Sequence, residues 1–225
     1  MTKTRLVSIL SVLAVLALGA LPAQASDRTP EQTAELYYRA WLNYDRAAAL
    51  QLNTALRQET GGRDFVDLGM IADPVAWQLK RIANLSTKGD PSAPEIRRLM
   101  AKFISAGSKR ARCRALGHEI GAQPTGERFR ATVKLECAVP DAVAGLRQAK
   151  DDEQGRSNMV NPSTRLLNGV IAAFERAPLT RRVSTELDVT AGSAKQRWMP
   201  DTSRSGMDQV TGAIARQIGE ARLGP

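Results

Sequence analysis

The sequence predicts an α+β domain in which an antiparallel sheet built from two hairpins is covered by about five helices. Three observations carry that expectation. Apolar residues recur at helical spacing along much of the chain, and in two later segments they alternate at period two. Aromatic residues make up only 4% of the chain while aliphatic residues supply most of its apolar content, which disfavours a β-sandwich.

The first 25 residues read as a leader. Lys3 and Arg5 form a positive start, Leu6 to Leu18 an apolar run, and Ala23-Gln24-Ala25 a small-residue cleavage site. The boundaries expected are therefore 1–25 for a signal peptide and 26–225 for a single exported domain, periplasmic or secreted. The apolar run is short for a membrane span, and no later stretch of about 18 apolar residues supplies one. No Cys stands at the cleavage point to carry a lipid.

Helix signals begin directly after the leader. Thr29-Pro30-Glu31-Gln32 fits a capping box, and Ala34, Tyr37, Tyr38, Trp41 and Leu42 follow at helical spacing, predicting a helix over 30–43. Asp45 caps a second helix, whose stripe runs from Ala48 to Leu56 and stops before Gly61-Gly62. Asp73-Pro74 opens a third, with Val75, Leu79 and Ile82. After Pro91 to Pro94 comes the clearest stripe, Ile96, Leu99, Met100, Phe103 and Ile104, with Gly107 placed as its C-terminal cap.

Beyond Ser108 the period changes to two. Phe129, Ala131, Val133, Leu135, Cys137 and Val139 alternate with polar residues and predict a half-buried strand, partnered by Lys109 to Gly121. The Gln123-Pro124-Thr125-Gly126 turn sets a register in which paired numbers sum to about 250, placing Cys113 opposite Cys137 and Arg114 opposite Glu136. A short helix at 141–149 and a polar stretch from Lys150 to Met159 follow. Asn161-Pro162 then caps a long helix with Leu166, Leu167, Val170, Ile171 and Phe174, ended by Pro178. A second hairpin alternates Val183, Thr185, Leu187 and Val189, and a two-residue Gly192-Ser193 loop places Trp198 across from Leu187. The chain closes on an amphipathic helix with Val210, Ala213, Ile214 and Ile218.

The chemistry-bearing residues are few. In an exported chain the two cysteines, Cys113 and Cys137, are expected to form a disulfide, since the register sets them face to face. His118 is the single histidine, and no second His follows His118-Glu119 at metalloprotease spacing. No nucleophile elbow, phosphate loop or dinucleotide fingerprint is present, so no catalytic residue, metal ligand or cofactor is assigned.

Charge carries more information. The formal net charge is +9, and subtracting Lys3 and Arg5 leaves about +7 for residues 26–225. In an exported protein this points to an acidic protein or an anionic envelope component as partner rather than to nucleic acid. Arg97, Arg98, Lys102, Lys109, Arg110, Arg112 and Arg114 lie in one segment with a single acid, Glu95. They read either as a solvated face, with Arg114 held by Glu136, or as a partner-binding patch centred on Arg97, Arg98, Lys102, Arg110 and Arg112. Tyr37, Tyr38 and Trp41 read either as a core stripe or as the wall of a pocket.

The opening Thr33-Ala34-Glu35-Leu36-Tyr37-Tyr38-Arg39-Ala40-Trp41, with Asp45 and Ala49-Leu50, resembles the first helical pair of nuclear-transport-factor-2-like cone folds. The resemblance covers about 30 residues and implies helices laid over a curved antiparallel sheet. Two further helices before the first hairpin and a long helix between the hairpins depart from that family's pattern, and none of its catalytic residues carries over. What it implies for function is a binding or accessory module. The function expected is therefore a non-catalytic binding or inhibitor/immunity-type protein acting through a surface. A small apolar-ligand carrier with a pocket beside the first helix, or an envelope enzyme using carboxylate chemistry, are the alternatives.

Overall fold

The computed structural model describes residues 28–82, 93–121, 129–153, 164–192 and 197–223. The leader, Pro91, the 123–126 turn, most of the polar stretch ending at Met159, Asn161-Pro162 and Ser193 lie outside them.

Local chemistry sets the first helices as expected. Helix α1 (Pro30–Asn43) starts at a complete capping box: the Thr29 hydroxyl accepts the Gln32 N–H and the Gln32 side chain accepts the Thr29 N–H. It stops where Tyr44 turns left-handed at φ 54°. Asp45 then caps α2 (Arg46–Leu56) by accepting the Ala48 N–H at 3.0 Å. Helix α3 (Leu68–Ala72) is unanticipated. Its five residues are too few for a periodic stripe, yet Asp67 caps it and Met70 is buried.

Helix α4 (Pro74–Ile82) leads to α5 (Ala93–Arg110), which runs on past the residue expected to cap it. Gly107 lies inside α5. A Cβ there would stand 2.5 Å from Ile214 of the last helix and 3.3 Å from Phe174, so this glycine permits close helix packing instead of ending a helix.

Four antiparallel strands follow in the spatial order β1-β2-β3-β4: β1 (Arg112–Ile120), β2 (Phe129–Val139), β3 (Arg181–Ala191) and β4 (Met199–Pro200). Cys113 pairs with Cys137 and Arg114 with Glu136, the register expected. A bulge at Leu116 then shifts the pairing by one, bringing Gly117 opposite Lys134 and His118 opposite Val133. The two hairpins join because β2 pairs with β3 along all eleven residues of each.

The second hairpin forms, with a register other than the one expected. Thr190 pairs with Met199 and Val189 with Pro200, so Trp198 does not face Leu187, whose own partner is Val133. Trp198 is instead buried, sharing a cleft with Leu52, Ala55 and Leu56 of α2. Burial of that indole offsets the short ladder, and Pro200, lacking an N–H, helps end it.

One sheet face carries the core. Ala131, Val133, Leu135, Cys137 and Val139 of β2, with Leu187 and Val189 of β3, are at most 1% exposed. They pack beneath α1 and α8 (Met207–Leu223). Helices α6 (Val143–Asp151) and α7 (Thr164–Arg176) add a further layer, α7 lying against both α5 and α6. Leu99, Leu167 and Ile171 form a satellite cluster between α5 and α7. Gln217 of α8, fully buried, ties the start of α6 by accepting the Ala142 N–H and donating to the Pro140 carbonyl.

Candidate partner-binding surface

The cysteines come together as the register dictates. Cys113 and Cys137 are joined at 1.99 Å, linking strands one and two across the core-facing side. The Ala115 N–H, two residues on, donates away from β2 to the Glu35 carboxylate of α1 at 2.9 Å. Ala115, and by parity Cys113, therefore sits at a non-hydrogen-bonded ladder position, where opposed side chains approach most closely. The staple and the Glu35 contact both act on the edge strand.

The cations of the 97–114 segment separate into two groups. Arg110 turns inward: its guanidinium donates to the carbonyls of Phe174 at 2.8 Å and Ala177 at 2.7 Å, capping the end of α7. Arg112 folds over the end of α5, donating to the carbonyls of Lys109, Arg110 and Ala111. Arg97 is half-buried. Arg98, Lys102 and Lys109 are exposed and recur every four and seven residues along one face of α5. Among the described residues none of these three forms an ion pair.

Beside that row lies a groove of about 400 Å³ between α5 and α7. Lys102, Ser105 and Lys109 line the α5 side, Asn168 and Glu175 the α7 side, and Ala106, Ile171 and Ala172 the floor. The sequence alone left Asn168 and Glu175 unnoticed. They flank the apolar stripe of α7 at ordinary polar positions, and only the packing of α7 on α5 brings them opposite two lysines.

The open face of the sheet is also rich in cations, and there Arg114, Lys134 and Arg182 each meet a carboxylate, while Arg112 and Arg130 form no ion pair among the described residues. One oxygen of Glu136 accepts Arg114 at 3.1 Å and lies 3.6 Å from Arg182. Lys134 pairs with Glu119, a contact that holds the Glu119 carboxyl below the usual range and the Lys134 ammonium above its own. Arg204 lies 3.7 Å from Asp188, which also accepts the Thr132 hydroxyl.

Tyr37 and Tyr38 are 3% and 1% exposed and pack in the core. The Tyr38 hydroxyl bonds the Thr185 hydroxyl at 3.1 Å and donates to the Ser205 carbonyl, and burial pushes its pKa to about 12. Trp41 is partly buried against Tyr37, and its indole N–H has no acceptor among the described residues. The Nδ1 of His118 meets Glu31 of α1 at 2.5 Å. No Asp or Glu among the described residues is buried, and no cluster of three metal-ligating side chains occurs among them. None of the described helices is long and apolar enough to cross a membrane. No family model, curated protein or solved structure matches this chain.

Proposed function

We propose that this is an exported, non-catalytic binding protein of the inhibitor or immunity type, engaging an acidic protein or an anionic envelope component through the outer face of α5. The observation that carries the reading is the row Arg98, Lys102 and Lys109, exposed on one helix face and without an ion pair among the described residues, while Arg114, Lys134 and Arg182 of the sheet are matched by carboxylates. A cation row of this kind attracts acidic partners at long range and binds them by direct pairing. The leader supports export, and the Cys113–Cys137 bond suits an oxidising compartment. Placement in the cone-fold family rests on the α1–α2 residues and belongs to the same proposal.

The test is binding to polyglutamate and to phosphatidylglycerol vesicles across a salt series. Reversing Arg98, Lys102 and Lys109 to Glu is expected to weaken binding to at least one probe tenfold or more at low salt and to flatten the salt dependence, with the melting curve retained. If the triple variant binds both as the wild type does, α5 is a solvated face only.

A further inference from the structure

Resting on that reading, we infer that the α5–α7 groove receives an amphipathic α-helix of a partner protein, with carboxylates along one of its flanks. Three features select a helix over a polyanion. The floor is apolar and made largely of short side chains, Ala106 and Ala172 beside Ile171, which lets a third helix approach two packed helices closely. The walls have opposite sign: Lys102 and Lys109 stand on α5 and Glu175 on α7. A uniform polyanion laid along the groove meets Glu175, whereas a helix with acids on one flank and cations or amide donors on the other complements both walls. The spacing also fits. Lys102 and Lys109 are two turns apart, about 10 Å along the axis, so carboxylates at i and i+7 of a partner helix face both.

Asn168, exposed on the α7 wall, adds an amide that donates and accepts, suiting a polar flank of either kind. The floor then takes one or two small apolar side chains from the partner's ridge. Recognition of this kind depends on helical order as well as on charge, and that separates it experimentally from simple attraction to α5.

The probe is a designed helical peptide of about 20 residues with an Ala/Leu ridge, Glu along one flank and Lys along the other. Its controls are a scramble of the same composition and polyglutamate. By fluorescence anisotropy, the purified wild-type protein is expected to bind the helical peptide at least tenfold more tightly than the scramble. Ala172→Trp fills the floor and should weaken the peptide at least tenfold while leaving polyglutamate unchanged. Glu175→Lys alters an exposed side chain only, and should weaken the peptide while tightening polyglutamate. A peptide that binds no better than its scramble, or that ignores both substitutions, overturns the helix. Polyglutamate and vesicle binding that both ignore reversal of Arg98, Lys102 and Lys109 overturns instead the surface reading on which the helix rests.

Discussion

The open face of the sheet and the outer face of α5 are both exposed and both crowded with Arg and Lys, yet they differ in how many of those charges have a carboxylate beside them. On the sheet, cross-strand register sets Glu136 against Arg114 and Glu119 beside Lys134. On α5, the neighbours of Lys102 one turn away are Arg98 and Ala106, and those of Lys109 include Ser105. A strand ladder brings acids from distant sequence to a cation, while a helix face offers only its own residues and whatever packs beside it. Density of positive charge is therefore a poor guide to a binding surface, and pairing is a better one.

That contrast is open to direct attack, beginning with what holds the paired face in register. Replacing both Cys113 and Cys137 by Ala should cost about 3 kcal/mol on the chain-entropy account, roughly 6–12 °C in melting temperature. The fold should survive, because a chain of this length retains ample core. A melt unchanged on replacement would show that the β1–β2 ladder needs no staple.

Next comes the cation that left the patch. Arg110→Ala removes two charge-assisted bonds to carbonyls at the end of α7 and is expected to destabilise by about 2 kcal/mol. Binding to polyglutamate should barely change. If binding falls while stability holds, Arg110 belongs with Lys102 after all.

Smaller again is the acid response. Burial pushes the Glu31 carboxyl up, but hydrogen bonds from His118, its own N–H and Thr29 outweigh this and hold it below the usual range. Such a carboxyl binds its proton less readily folded than unfolded. Its contribution is thus complete above the unfolded value and drains away as pH falls through the lowered folded one. Thermal melts of Glu31→Gln between pH 7 and pH 3 should show lower stability near neutrality and a shallower acid limb. A limb as steep as the wild type's would remove Glu31 from the account.

The smallest effect should come from Glu136→Gln, which leaves Arg114 and Arg182 without their shared carboxylate. Surface pairs contribute about 0–1 kcal/mol, so the melt should hardly move. The sharper readout is binding: with two guanidiniums released, the sheet face should gain affinity for polyglutamate, narrowing its difference from α5.

Much of this fold is legible in the order of the amino acids. Capping residues such as Thr29 and Asp45 act within three residues, so α1 and α2 begin where the sequence signals them. Alternation marks β2, and two complementary pairs, Cys113 with Cys137 and Arg114 with Glu136, agree on one register. The departures share a cause. Gly107 carries a turn-former's signal yet answers to Ile214, more than a hundred residues away, and Trp198 answers to Leu52 and Leu56 rather than to the strand alternation beside it.

What the sequence determined by itself is what short-range forces decide: helix starts, the two periods, the disulfide partner and the amount of positive charge. Beyond the Arg114–Glu136 pair, which the hairpin register already sets, only the tertiary structure decided which charges are matched. Arg110 and Lys102 are indistinguishable as letters in a basic run, but one lies within reach of the carbonyls that end α7 and the other beside a groove that the same helix closes. Coulomb and hydrogen-bond energies depend on distances of a few ångströms, and between residues remote in sequence those distances exist only once the layers have packed.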